Sequence, residues 1–424
     1  MKVHGPLATL AALTVAACQG GSAVTPDVGA DFRLQDQRLH DLAPQPDLTC
    51  TGSLPAKVPD GGLELPRPTG PYGIGTELRV LIDPARDELA TSDPNDKRRI
   101  ALQLFYPAEP CPGGLPAPLM TRGEGRIVSE DFGGLWPLDK PWEQLVVLHA
   151  RANAPLATAG GRLPVVIFSH GMTMLRDLYV SYLEDLASWG FVVAAISHTY
   201  DSSAVEYSDG VVGLNTTYWT TNPSNPAPAE ADAHIAVWVA DARFVADQLT
   251  TWNASDPLSR FTGRLDLDKL GMFGHSYGGA TAGEACFADP RFKAGANFDG
   301  NFFSPARATG GRAVSQPFMI QLAASNQYHD TSFDSFFGKL QIGYQVTIAD
   351  SVHMDYSDYS LIVKQFASAS PAMKWFGSGD YLRILAVSRA YNLAFFKKHL
   401  RGDPQPLLDG SSPSFPEATF KKKP

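Results

Sequence analysis

Residues 270–282 constrain this chain more than any other stretch. A short apolar run, 270–274, leads into Gly274-His275-Ser276-Tyr277-Gly278, and the small residues Gly279-Ala280-Thr281-Ala282 follow. A strand that turns into a helix through a G-x-S-x-G elbow lifts its serine above a sheet edge. The glycines are needed because a larger side chain would crowd the turn. Such a short pattern recurs by chance; its place between an apolar strand and a close-packing helix start carries the reading.

The rest of the chain agrees with a sheet of that kind. Apolar runs at 102–106, 163–168, 191–196, 294–298, 317–322 and 344–348 read as strands buried on both faces. Between them, 179–189 has helical spacing and stops at Gly190. Ile235, Trp238, Ala242, Val245 and Leu249 recur at three and four, giving one apolar helix face. A last helix over about 381–400 aligns Ile384, Val387, Tyr391 and Phe395. Lys397, Lys398 and His399 are expected there as cations at the helix C-terminus, with Gly402 and Pro404 as its stop. The alternation implies one α/β domain over 61–403, a mostly parallel sheet with helices on both faces. Residues 202–228, polar and aromatic, form either a rim of the site or a mobile insertion.

The two ends read differently. Residues 1–17 form a leader, with Lys2 before an apolar stretch too short to span a bilayer. Val15-Ala16-Ala17-Cys18 resembles a bacterial lipobox, which makes Cys18 a lipidated first residue. Gln19 rather than Asp follows, favouring an exported protein anchored to the outer membrane; a plain cleaved signal peptide is the alternative. Residues 18–60 read as a flexible tether, and 404–424 as a tail whose Lys421-Lys422-Lys423 is solvated. The net charge of −9 and the want of a basic patch exclude nucleic acid as partner. Cys286 is expected to be a buried hydrophobe, whereas the pairing of Cys50 with Cys111 stays open, as does the oligomeric state.

A serine hydroxyl needs a base to take its proton and an acid to hold that base. In an elbow of this type the chain order is serine, acid, histidine. His329, His353 and His399 follow Ser276. His399 is expected as a helix-end charge, and His329 lies in a polar loop with no strand immediately before it. His353 leaves the strand at 344–348 through a short turn, where a parallel sheet presents functional groups. Asp299 ends the run at 294–298, with Asp350 and Asp355 as rivals that more naturally shape the His353 loop. The oxyanion needs two backbone donors, expected from Tyr277 and from Met172 at the end of Phe168-Ser169-His170-Gly171-Met172, with His170 bracing the loop. No paired-cysteine or H-E-x-x-H spacing marks a metal, and the chemistry needs no cofactor.

These segments resemble the platelet-activating-factor acetylhydrolase (plasma, type II) and bacterial lipase-like group of α/β-hydrolases. The likeness lies in the elbow at 274–281, the acid segment 289–299, Ser351-Val352-His353, the strand end 168–172, and Ser197-His198 before Tyr200-Asp201. It runs in patches from about 70 to 400. The resemblance implies an α/β-hydrolase fold and a serine carboxylic-ester hydrolase working through an acyl-enzyme on a short-acyl phospholipid or other lipid-like small-molecule ester. It also implies Asp299 as the acid, one strand earlier than in most α/β-hydrolases. The departures are the 202–228 loop and Phe302-Phe303, expected with Tyr200 to shape the acyl and alcohol pockets. Triglyceride, aryl-ester and polyester substrates therefore stay open. A peptidase lacks any marked charge pocket here, and a non-catalytic binding lipoprotein would not need the full set of Ser, Asp and His in order.

Overall fold

A computed structural model describes residues 62–109, 116–131, 145–158, 161–215, 218–222, 226–302, 313–325, 330–366 and 371–423. The leader and the whole tether, with Cys18 and Cys50, and also Cys111, Phe303 and His329, lie outside the described residues. The first strands are β1 (Leu63–Glu64), β2 (Gly73–Asp87), β3 (Lys97–Ala108), β4 (Val146–Val147), β5 (Arg151–Ala152), β6 (Leu163–Ser169) and β7 (Val192–His198). A hairpin of β8 (Ala204–Tyr207) and β9 (Gly210–Gly213) follows. Then come β10 (Leu265–His275), β11 (Phe292–Phe298), β12 (Phe318–Ser325), β13 (Gly343–Val352) and β14 (Ala418–Lys422). The helices are α1 (Arg122–Asp131), α2 (Val180–Ser188), α3 (Pro228–Ala254), α4 (Tyr277–Ala288), α5 (Thr331–Lys339), α6 (Tyr359–Phe366) and α7 (Tyr381–Phe396).

Ten strands form one sheet in the order β14-β13-β12-β11-β10-β6-β7-β3-β2-β5. From β13 to β7 every neighbour is parallel; β3 joins β7, β2 joins β3 and β14 joins β13 antiparallel. β6 is buried at every position because both faces are covered. Val165 and Ile167 point into the layer under α3 and α4, and Val166 and Phe168 into the layer under α2 and α7. From β6 the chain moves one way to β7, and from β10 the other way to β11. The crevice beyond the carboxyl ends of β6 and β10 is therefore the topological switch point, where open α/β sheets bind ligands.

Two expectations change and one open choice narrows. Residues 418–422 are not tail but the edge strand β14, seated on β13 with Ala418 buried and Lys421 and Lys422 exposed. Its lysines mask a two-residue alternation too short to stand out. His399 is not a charged helix terminus. Burial, with Lys398 and Lys422 beside it, lowers its pKa to about 4, and its Nε2 lies 3.1 Å from the Tyr344 hydroxyl. Residues 202–228 contain the β8–β9 hairpin and a buried Trp219, so the described part is tied down and not a mobile insertion.

Candidate active site

β10 ends at His275, and Ser276 turns the chain at φ 54°, ψ −119° into α4. For a residue with a Cβ that conformation costs on the order of 1–3 kcal/mol and must be enforced by its surroundings. The Ser276 N–H donates to Phe298 O at 2.8 Å, and its carbonyl accepts from the Gly279 and Ala280 N–H groups at 2.9 and 3.1 Å. A Cβ at Gly274 would stand 2.3 Å from the Gly278 backbone, and one at Gly278 only 2.1 Å from Ser169 O. Glycine is thus required for close approach, and the elbow is pressed against the end of β6. That contact brings the following loop to the serine: a Cβ at Gly171 would lie 3.3 Å from Ser276 Cβ.

His353 opens a 3-10 turn directly after β13. Its Nε2 lies 2.9 Å from Ser276 Oγ and its Nδ1 2.7 Å from Asp299 Oδ2. A carboxylate only accepts, so Nδ1 carries the proton and Nε2 faces the serine hydroxyl as acceptor. Asp299 follows β11 at φ 55°, its N–H donating to Gln321 O and its Oδ1 accepting from the Ala323 N–H, both at 2.8 Å. The acid is fully buried while the imidazole keeps 15% of its side chain exposed. The structure thus brings Ser276, His353 and Asp299 into one hydrogen-bonded line. Asp355 instead accepts from the Val352 and Gly377 N–H groups at 2.9 and 3.2 Å; burial raises its pKa to about 6. The ground given above against His329 does not hold, since β12 ends at Ser325, immediately before that loop. Among the described residues, the Asp299–His353 hydrogen bond is what marks His353 as the candidate base.

Of the two expected oxyanion donors, one directly follows Ser276 in the chain and the other directly follows Gly171, which lies against that serine. Tyr277 heads α4, and Met172 follows Gly171. The Gly171 carbonyl accepts from His170 Nδ1 at 2.7 Å and from the Met174 N–H at 3.0 Å. Across a trans peptide, the Met172 N–H points the opposite way. His170 Nε2 in turn accepts from Ser202 Oγ at 2.8 Å and from the His198 N–H at 3.2 Å. Burial, then the neighbouring His198, holds the His170 pKa well below the usual histidine range, so this ring is a neutral brace.

A second Ser–His–Asp line, missed in the sequence, lies behind that loop. Ser169 Oγ is 2.8 Å from His198 Nε2, and His198 Nδ1 is 2.8 Å from Asp241 Oδ2. Arg98 holds Asp241 through two bonds, at 3.1 and 2.7 Å, and Trp238 stacks on His198 at 3.8 Å. All three members are fully buried. Ser169 and His198 each end a strand, but nothing in the sequence ties them to Asp241 in the middle of α3 or to Arg98.

Two of the expected pocket residues sit elsewhere. Phe302 belongs to the core, stacked on Phe336 at 4.0 Å and packed against Phe318 and Phe333. Its N–H donates to Ser332 Oγ at 3.1 Å, tying it to α5. Tyr200 turns at φ 68° toward Arg99, Glu88 and Asp96, beside the β2–β3 turn. Around the elbow lie Trp238, 4.9 Å from the Tyr277 ring, and Trp219, 6.3 Å from it, stacked on His234 at 3.5 Å and bonded through Nε1 to Asp201 at 3.0 Å. Among the described residues no cluster of His, Cys, Asp or Glu suits a metal ion.

The profile of the family described as platelet-activating factor acetylhydrolase, isoform II, matches residues 60–211 and 248–405. A probable 1-alkyl-2-acetylglycerophosphocholine esterase of Arthroderma benhamiae is 27% identical over 396 residues, covering 87% of this chain and 96% of that relative. A platelet-activating factor acetylhydrolase of Cavia porcellus is 24% identical over 360 residues, covering 80% and 79%. Among solved structures, a ferulic acid esterase from Streptomyces cinnamoneus aligns with a TM-score of 0.71 at 29% identity, covering 85% of this chain and 99% of that one. The family match takes in most of the chain, including the elbow, Asp299 and His353, and the chain belongs to the platelet-activating factor acetylhydrolase isoform II family.

Proposed function

We propose that Ser276 attacks a carboxylic ester and carries the acyl group, that His353 takes its proton and returns it to the leaving alcohol, and that Asp299 holds the imidazole. The N–H groups of Met172 and Tyr277 receive the oxyanion of the tetrahedral intermediate. Water, deprotonated by the same His353, then releases the acid. The protein is an ester hydrolase, the activity shared by the relatives and the structural neighbour. The observation that carries the residue roles is the continuous Asp299–His353–Ser276 line, 2.7 and 2.9 Å, ending on a half-exposed serine at the switch point. The substrate class proposed is a lipid-like ester with a short acyl group, in keeping with the named relatives. An aryl-acid ester is the second reading, favoured by the ferulic acid esterase aligning over 99% of its length.

The test is a chain-length series of p-nitrophenyl esters beside a short-acyl phospholipid and a feruloyl ester, with fluorophosphonate labelling. Turnover of the short-acyl members and a label on Ser276 are expected. Folded protein that neither turns over nor labels would overturn the reading. We propose further that the enzyme is exported and lipid-anchored through Cys18, on the strength of Val15-Ala16-Ala17-Cys18. One acyl chain anchors a protein only marginally, so both a diacylglyceryl and an N-acyl group are expected. Cys18→Ser should move the esterase out of the membrane fraction; a mature wild type that is equally soluble makes Cys18 an ordinary residue.

A further inference from the structure

The oxyanion loop and the loop of the base come from different parts of the chain, 171–181 and 353–358, yet polar contacts join them in three places. The Asp358 N–H donates to Leu178 O at 2.7 Å, and Asp358 Oδ2 accepts from the Ser181 N–H at 2.8 Å. Between those contacts lies Tyr179, whose ring is fully buried against Phe168. Its hydroxyl accepts from the Gly171 N–H at 3.3 Å and lies 2.8 Å from His275 Nδ1. His275 Nε2 lies 2.9 Å from the carbonyl oxygen of His353.

The direction of every bond in this path is set by chemistry. A carbonyl only accepts, so His275 Nε2 carries the proton and donates to His353 O. His275 Nδ1 is then an acceptor, and the one hydrogen of the Tyr179 hydroxyl goes to it. That leaves the phenol oxygen to accept from Gly171. Burial favours the needed forms: it pushes the Tyr179 phenol up and holds His275 well below the usual histidine range, with His353 adding to the second effect. The result is a one-way chain of donors from the oxyanion loop, through the residue just before the serine, to the backbone of the base. The His275 and His353 rings also pack at 4.6 Å between centroids.

We propose that Tyr179 and His275 are positioning residues that set the spacing between the oxyanion donor at Met172 and the imidazole of His353. This rests on the roles given above to Met172 and His353. Neither side chain is placed to touch the reacting atoms; each acts through a backbone group, Gly171 N–H at one end and His353 C=O at the other. A reaction that needs a proton acceptor and an oxyanion donor held together loses rate when either drifts, on the order of 100-fold for a displacement near 1 Å.

Tyr179→Phe removes one oxygen from the path, and Tyr182→Phe removes a comparable buried hydroxyl, bonded to Ser388 at 3.1 Å, that lies outside it. With p-nitrophenyl acetate as substrate, Tyr179→Phe should lower kcat about 10- to 100-fold with KM within about threefold, while Tyr182→Phe stays near wild type. Fluorophosphonate labelling of Ser276 should slow by the same factor in Tyr179→Phe. His275→Gln, which keeps an N–H where Nε2 stands, should retain more kcat than His275→Leu. Urea unfolding of each variant identifies those that are folded at the assay temperature. A Tyr179→Phe enzyme that matches Tyr182→Phe in kcat, KM and labelling rate overturns the inference, as does a His275→Leu enzyme equal to His275→Gln. A wild type with neither turnover nor label fails the underlying reading instead, so the two failures are distinct.

Discussion

Ser276, His353 and Asp299 are joined at 2.9 and 2.7 Å; Ser169, His198 and Asp241 are joined at 2.8 and 2.8 Å. By distance alone the two lines are the same device, and what differs is everything around them. Ser169 lies in the extended end of β6, paired with β7 and β10, and has no exposed surface. Ser276 is held at a positive φ on an elbow, half-exposed, with the N-terminus of α4 behind it. Among the described residues Asp299 meets only one other donor, the Ala323 N–H, so in the mechanism proposed above its charge is left to stabilise the imidazolium that forms as Ser276 reacts. Asp241 is already taken by Arg98 and by Arg86, the latter at 2.8 Å. Burial, with Arg98 adding to it, keeps His198 from charging, so its pKa lies below the usual histidine range. The lesson is that a catalytic line needs an accessible serine, an acid with charge to spare and an oxyanion site. The buried line meets none of these and serves to lock the strand end that carries the oxyanion loop.

The largest contrast should come from the serines. Ser276→Ala should cost on the order of 10⁶ in kcat while leaving the fold intact, because it removes only a hydroxyl from a partly exposed turn. Ser169→Ala should leave kcat near wild type but lower stability by about 1–3 kcal/mol, since His198 Nε2 loses its donor inside the protein. Kinetics with fluorophosphonate-titrated enzyme, beside urea unfolding, check both. If Ser169→Ala were the inactive variant and Ser276→Ala kept more than a few per cent of activity, the two lines would have to exchange roles.

The acids sharpen the same comparison. Asp299→Asn should keep the shape but favour the wrong His353 tautomer, lowering kcat by up to roughly 10⁴. Asp241→Asn should act on the fold instead. Among the described residues it leaves the buried Arg98 with Glu88, at 3.1 Å, as its remaining ion-pair partner and Asp201 acting from further off, and should destabilise by about 3–5 kcal/mol with little change in kcat per folded molecule. Asp355→Asn should cost far less than Asp299→Asn, because Asp355 bonds backbone N–H groups of the loop and not the ring. A crippled Asp355→Asn beside a mild Asp299→Asn would show the acid to be misplaced.

The open line was legible in the sequence and the buried one was not, for a physical reason. Ser276, Asp299 and His353 each follow an apolar stretch, and β6 and β7 are apolar up to their ends because both their faces are covered. β2 escaped notice because its buried face carries Glu77 and Arg79, matched by Asp256 and Arg260 from far along the chain. Period-two patterns cannot reveal a charge made burial-competent by a partner some 180 residues away. The same limit hid Arg98, Asp241 and the Tyr179–His275 path. Phe302 was misplaced for the converse reason: an aromatic after an Asp-Gly turn looks the same in sequence whether it lines a pocket or, as here, stacks on α5.

The smallest expected effect separates the two lines by pH. His198 in the closed line, and His170 and His275 beside the open one, are held neutral chiefly by burial. Unfolded, each binds a proton near pH 6.5, so below about that pH the unfolded chain takes up more protons and stability falls as pH falls. Asp358, which ties α2 to the base loop, has the opposite sign. Burial raises its carboxyl to about 7, against a usual value near 4. The folded protein therefore binds more protons than the unfolded chain between those values, and stability falls as pH rises through the window. Asp358→Asn keeps an acceptor for the Ser181 N–H and removes the buried charge. It should raise the urea midpoint at pH 8, and the gain should shrink at pH 5, where the wild-type carboxyl is already protonated. His198→Gln should do the reverse, losing stability at pH 8 and recovering part of it at pH 5. Two variants with pH-independent shifts would mean that neither group changes its protonation on folding, and that the contrast between a closed, neutral line and an open, reactive one rests on access alone.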